Sequence, residues 1–208
     1  MGAGRHRSSG LSGFWMPRTD QTAQAFAARD SWSMGPGRAA SDVSSHNAAD
    51  MSSVRRLLAV LANPPLATSG QRTLNRVSLA ARLIGCDDVV VGNLFPIASK
   101  DVTALGTLGA DSDQWLAARD GLLRLLLGAD DVLLGWGRAE PAGAARIHHR
   151  SQIQWLMTEL ESRSLQVWTV GGEPRHPSRW QRHTCRAYPG RPFGSALAAA
   201  LLAGLPAR

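Results

Sequence analysis

"RLLAVLANPP", residues 56–65, carries an unbroken apolar run from Leu57 to Ala62 that stops at Asn63 and two prolines. Six apolar residues are the length of a strand rather than a helix. They do not alternate with polar ones, so both faces of the strand must be covered, as in a parallel sheet packed on two sides. Pro64 and Pro65 cannot continue a hydrogen-bonded ladder, which sets the strand's end. This single reading commits the chain to an α/β architecture, and the flanking sequence agrees with it.

Downstream, "RTLNRVSLAARLIG" (72–85) repeats at helical spacing through Leu74, Val77, Ala81 and Ile84 and ends at a glycine. "DDVVVGNLF" (87–95) predicts a second strand, stopped by Pro96, after which Ser99 is expected to cap a short helix through Leu105. "DQWLAARDGLLRLLLG" (113–128) predicts a helix with Trp115, Leu116, Leu122, Leu123 and Leu126 inward, and "DVLLGWG" (131–137) a third strand. "AARIHHRSQIQWLMTELESR" (144–163) predicts a long helix buried through Ile147, Ile153, Leu156, Met157 and Leu160. "LQVWTV" (165–170) is the fourth strand, "HTCRAYP" (183–189) a candidate fifth, and 194–204 a terminal helix. Alternating strand and helix is the pattern of a three-layer αβα fold around a central four-stranded, mainly parallel sheet.

Residues 1–50 are rich in Gly, Ser and Ala without periodicity and read as a disordered tail, although Phe14, Trp15 and Trp32 are unusual in one. Met51 is a second plausible start. The expected division is a tail over 1–50, one α/β domain over 51–192, and a C-terminal helix or tail over 193–208.

The chain has 208 residues, a formal net charge of +7 and two cysteines, Cys86 and Cys185. Such a charge points to an anionic partner. Lys100 is the only lysine, and GC-rich coding alone can produce an arginine excess. The distribution is more telling: residues 173–191 hold Arg175, Arg179, Arg182, Arg186 and Arg191 against Glu173. Two cysteines furnish neither a disulfide framework nor an all-Cys metal site, and read as inert reduced thiols. No apolar stretch reaches the ~20 residues of a membrane span, and no secretory signal is evident. The expectation is a soluble, cytoplasmic monomer without metal or cofactor.

In parallel sheets ligands lie beyond the carboxyl ends of the strands. Here that rim collects Asn63-Pro64, Asn93-Leu94, Trp136-Gly137 and the loop from Gly171 to Trp180. Asn offers an acceptor and a donor at a strand end. His can stabilise an oxygen that gains negative charge, and Arg and Ser grip phosphates. The same residues have plainer readings: the asparagines as turn formers, Trp136 as packing, His176 as a loop-structuring hydrogen bonder, Trp180 buried beneath its loop, and His148 with His149 on a solvated face.

"RRLLAVLANPPLATSGQRTLNRV", "VVVGNLFPIAS", "LLGWGRAE" and "GGEPRHPSRW" resemble, in order and spacing, the bacterial and phage family called domain of unknown function 1643, over about residues 55–189. The same blocks are more distantly similar to the uracil-DNA glycosylase superfamily, closest to its mismatch-specific, Asn-Pro branch. That resemblance implies a uracil-DNA-glycosylase-like fold and a hydrolase of N-glycosyl bonds in DNA repair or base modification, acting on a damaged, mismatched or modified base in DNA or a nucleotide. It implies Asn63 and His176 as the catalytic pair, one positioning water and the other stabilising the departing base. Asn93 would hold the base edge, with Pro64, Pro65, Asn75, Arg76, Phe95, Trp136 and Gly137 as further substrate contacts. Arg175, Ser178, Arg179 and Arg182 would bind nucleic acid, and Trp180 would stand where an intercalating residue enters the duplex. Two departures matter: the Asp of the most active branch is absent, and Pro65 stands near the place of its thymine-screening Tyr. The alternative is a nucleic-acid or nucleotide-binding module that keeps the pocket without the chemistry.

Overall fold

The structure, a computed structural model, describes residues 54–66 and 70–206. The expectations for residues 1–50 and for Met51 lie outside the described residues. Five strands are present: β1 (Arg56–Leu61), β2 (Asp88–Asn93), β3 (Asp131–Leu134), β4 (Gln166–Val170) and β5 (Leu201–Ala203). The helices are α1 (Gln71–Ile84), α2 (Val102–Leu108), α3 (Ser112–Leu127), α4 (Ala144–Arg163), α5 (Pro177–Ala187) and α6 (Phe193–Ala200). The strands form one mixed sheet in the order β2-β1-β3-β4-β5, with β5 antiparallel to β4 and the other pairs parallel.

Apolar residues on both faces of each strand have a simple cause: helices cover both sides. Leu58, Val60, Val132 and Leu134 face a core with Leu122, Leu126, Leu156 and Leu160 from α3 and α4. Leu57, Ala59, Leu133 and Val170 face the opposite core with Val77, Trp180 and Leu197 from α1, α5 and α6. Burying each such Leu or Val contributes about 1.5–3 kcal/mol, from the strands and from the helices that cover them alike.

Four expectations are corrected. The sheet has five strands and is mixed, not four-stranded. "HTCRAYP" is not a strand: Pro177 opens α5 at its first turn, and Pro177, Trp180 and Thr184 bury one helical stripe. The terminal helix ends at Ala200, and Leu201–Ala203 pairs instead with β4, with Val170 opposite Leu201. This uniform Leu-Ala run carries no period that separates helix from strand, and the free edge of β4 decides it. Ala196, Leu197 and Ala200 are buried, so α6 packs into the main core. Lastly, α4 buries Ala145, His149, Gln152, Leu156 and Leu160, while Ile147 is 71% exposed. Smaller differences follow the same logic: Leu116 of α3 is exposed, and Asp101, not Ser99, caps α2 by accepting from the Ala104 amide.

Candidate functional site at the carboxyl rim

All four parallel strands end on one side, and β1 is the strand from which the chain departs left to β2 and later right to β3. The crevice between the ends of β1 and β3 is therefore the topological switch point, where sheets of this kind bind ligands. The loop after β1 and the loop after β2 run side by side: Leu94 N donates to Leu61 O at 2.9 Å, Phe95 N to Ala62 O at 2.9 Å, and Ser99 N to Pro64 O at 3.2 Å. Asn63 joins them, its Nδ2 donating to Pro64 O at 2.8 Å and Ser99 O at 3.3 Å. With the amide nitrogen committed to protein, its carbonyl oxygen is the end that can accept from a ligand or water.

The loop after β3 closes the other side. Gly135 N donates to Val60 O at 2.8 Å, and a Cβ at Gly135 would lie 2.9 Å from Leu61 Cδ2 and 3.5 Å from Pro177 Cδ. A side chain at position 135 would have to displace the Leu61 side chain where the ends of β1 and β3 meet the start of α5. Gly137, at φ 97°, donates to Pro174 O at 2.6 Å, and a Cβ there would stand 3.6 Å from His176 Cβ. The Trp-Gly and His-Pro-Ser segments are thus direct neighbours.

His176 caps α5. Its Nδ1 accepts from the Ser178 amide at 3.2 Å, with the Ser178 hydroxyl at 2.9 Å. A nitrogen that accepts from an amide carries a lone pair, so the ring proton resides on Nε2. Burial, reinforced by the nearby Arg179 and Arg76 charges, lowers the His176 pKa. The result is a neutral imidazole with an N–H to donate at the N-terminus of a helix.

Beside these loops, between them and α4, lies a cleft of about 270 Å³ walled by Trp136, Gly137, Glu140, His149, Ile153 and Glu173. Glu140 is gripped by Arg150 at 2.7 and 2.9 Å, and that pairing lowers its pKa. Glu173 lies 3.1 Å from Arg138 Nε and 2.6 Å from Arg175 Nη2. Its Oε2 nonetheless lacks an aligned hydrogen bond; at such distances the arginines compensate its charge, and the contact is ionic. Asn93 Oδ1, His149 Nδ1 and Arg175 Nε are the other buried side-chain polar atoms without a hydrogen bond among the described residues. Leaving such a group unpaired costs about 1–3 kcal/mol, and unpaired groups in native proteins call for an explanation. Those at this rim come from β2, α4 and the loop after β4.

Several sequence candidates fall elsewhere. Trp180 is fully buried, its Nε1 donating to Arg175 O at 2.7 Å, so it anchors its own loop and presents no side chain to a duplex. Phe95 is fully buried against Trp115, with centroids 4.6 Å apart, and is core. Arg76 donates to Pro177 O at 2.8 Å and Gln181 Oε1 at 3.0 Å, fastening α1 to α5. Asn75 is exposed and accepts from Gln71 within α1. Pro65 is exposed and bridges to Ser99. Arg175 is tied to Glu173, whereas Arg179 and Arg182 are exposed on α5. Sequence reasoning missed His149, taken with His148 for a solvated pair. Its spacing from Ala145, Gln152 and Leu156 is the signal that sets it on the buried face.

Against protein families, residues 48–178 match the family described as "Protein of unknown function (DUF1643)". The chain belongs to this family. No curated protein and no solved structure matches it. The DUF1643 match runs from before β1 to Ser178, so it contains Asn63, Asn93, Trp136, His149 and His176, while α6 and β5 lie beyond it. Among the described residues, no helix is long and apolar enough to cross a membrane.

Proposed function

We propose that this DUF1643 protein is a nucleobase-directed N-glycosidase of the uracil-DNA glycosylase type, acting on a damaged, mismatched or modified base in DNA or a nucleotide. The observation that carries the reading is the geometry of His176 on the switch-point rim: its Nδ1 accepts from the Ser178 amide at a helix N-terminus, which leaves Nε2 to carry the ring proton. Cleavage of a glycosidic bond moves the C1′–N electron pair onto the base, where it delocalises from the ring nitrogen onto an exocyclic carbonyl oxygen. A preorganised N–H aimed at that charge stabilises the transition state more than the ground state, and the α5 N-terminus adds to it. The oxygen of a water held by Asn63 bonds to C1′, and its proton ends on the departing base nitrogen. Asn93, whose Oδ1 is unpartnered, receives a base N–H. Exposed Arg179 and Arg182 bind the phosphates. Without a carboxylate at position 63, attack on C1′ is slow or requires a base already activated as a leaving group.

One observation favours the alternative of binding without turnover: the Asn63 amide is engaged with Pro64 O and Ser99 O, as in a loop-structuring asparagine. Turnover separates the two. Full-length protein is incubated with single- and double-stranded oligonucleotides carrying uracil, mismatched or modified bases, and with free nucleotides, and released base is measured chromatographically. Release from at least one substrate is expected, lowered about 10²–10³-fold by His176→Ala, the loss typical of one oxyanion donor. No release from any substrate overturns the enzyme reading, and retained binding in that case favours the module.

A further inference from the structure

The resemblance that suggests a glycosidase assigns nothing to α4, yet α4 supplies the most unusual buried group of the rim. His149 is 3% exposed, lines the cleft, and has Nδ1 enclosed without a hydrogen-bond partner. Two polar neighbours on the core side are satisfied by other partners: Gln152 Nε2 donates to Leu94 O at 3.2 Å while its Oε1 accepts from Arg119 at 2.9 Å, and Trp115 Nε1 donates to Gly109 O at 2.9 Å. Trp115 also stands edge-on to the imidazole, with centroids 5.8 Å apart. The ring is therefore held firmly by its surroundings while its hydrogen bonding is left incomplete, the arrangement of a preorganised recognition group rather than of a packing residue.

The rest of the cleft narrows the ligand. Trp136 is an aromatic wall and Ile153 an apolar one. Glu140 and Glu173 line it together with Arg138, and each carboxylate is already paired with arginines, so the cleft requires no counter-charge of a ligand. A volume of about 270 Å³ lies just below the roughly 300–1,000 Å³ of drug-sized ligand pockets, room for a ring system and not for a whole nucleotide chain. A neutral, flat molecule with hydrogen-bonding edges meets all of these conditions.

We propose that this cleft is a pocket for a neutral planar nitrogen heterocycle and that His149 is its specificity-determining residue, hydrogen-bonding one edge of the ring. The inference rests on the glycosidase reading for the identity of the heterocycle as a nucleobase, but not on turnover. It is tested with free uracil, thymine, cytosine, adenine and guanine as probes, by calorimetry and by ¹⁵N shifts of labelled histidine in the full-length protein. At least one base is expected to bind and to shift the His149 ring nitrogens. His149→Leu, which removes an unpaired polar group and should keep or raise Tm, is expected to weaken that binding about tenfold or more, the scale of one lost hydrogen bond in a buried site, and His149→Gln to restore part of it. Binding that leaves the His149 nitrogens unshifted overturns the proposal even if the variants fail to fold. So does unchanged affinity and base preference in folded His149→Leu, or no binding of any base at millimolar concentration. Base binding without turnover would keep this inference and remove the glycosidase; turnover with a base preference indifferent to His149→Leu would do the reverse.

Discussion

The two ends of the sheet bury polar groups in opposite ways. At the amino end Asp131 is fully buried, yet it receives Arg55 Nε at 2.7 Å and Nη2 at 2.9 Å, Trp168 Nε1 at 2.7 Å and the Cys86 thiol at 3.4 Å. Every acceptor has a donor, and the network ties β3, β4 and the segments before β1 and β2 together. At the carboxyl end, Asn93, His149 and Arg175 each bury an atom with no partner. Satisfied networks rigidify a fold, whereas unsatisfied ones weaken it and persist where something else requires them. The contrast sets an end whose buried carboxylate is fully paired against an end where several buried atoms are not, and the proposed site lies at the second. Cys86 belongs to the first: burial, then Asp131, push its thiol up to about 12, which makes it inert.

The heaviest loss of stability is expected from a residue that a motif reading would have assigned to DNA. Trp180→Ala should destabilise by about 3–5 kcal/mol, the range for truncating a buried aromatic, because the side chain is fully enclosed and also holds Arg175 O. Chemical denaturation measures it. A near-wild-type midpoint combined with weakened duplex binding would restore Trp180 to the interface. Asp131→Ala follows, at roughly 2–4 kcal/mol. Breaking a buried pair costs about 3–5 kcal/mol, softened here because the Arg55 side chain is 43% exposed and can turn to water. Its predicted signature is lower stability with base binding per folded molecule unchanged. A loss of binding without a loss of stability would erase the division between the two ends.

Titration tests the same division without mutation. Burial lowers the pKa of His149, His176 and His183, all in or beside the rim. For a histidine depressed in the folded state the unfolded chain binds the proton first. Stability is then complete above the unfolded value of about 6.5 and is lost as pH falls through the lower folded values. Tm should be flat above about pH 7 and fall on acidification, and the fall should be shallower in His149→Leu. A Tm independent of pH down to about 5 would mean that these rings protonate without cost.

How far the sequence led depends on whether a residue's role was local. β1 to β4 were readable because each is an apolar run closed by a breaker or a turn, such as Asn63-Pro64-Pro65 after β1 and the glycine pair after β4. Asn93 and His176 were readable as polar residues at strand ends of one rim. What depended on a three-dimensional partner was not. In α4, Ile147 and His149 are two residues apart, and hydrophobicity favoured the isoleucine. The structure turns that side chain to solvent and the histidine inward, because Gln152 and His149 face the loop after β2. In α5, arginines masked the stripe Pro177, Trp180, Thr184 and made a helix look like a loop. The short β5 exists only because β4 leaves an edge to pair with.

The smallest effect on the fold carries the most information about the partner. Arg175 was expected to grip phosphate, but Glu173 holds its guanidinium at 2.6 Å, which leaves Arg179 and Arg182, exposed on α5 one turn apart, as the open charges. Surface changes of this kind shift stability by no more than about 0.5 kcal/mol each, so the double variant Arg179→Ala, Arg182→Ala should melt like the parent. If these side chains neutralise phosphates, each should release about one counterion, and the salt slope of DNA affinity should fall by about 1 per residue removed. Arg175→Ala should instead cost stability, by removing the nearer of the two arginines paired with Glu173 beside the cleft, and leave the slope close to that of the parent. A double variant whose slope is unchanged would detach α5 from the backbone-binding role and leave a free base or nucleotide as the ligand class still compatible with the proposed site.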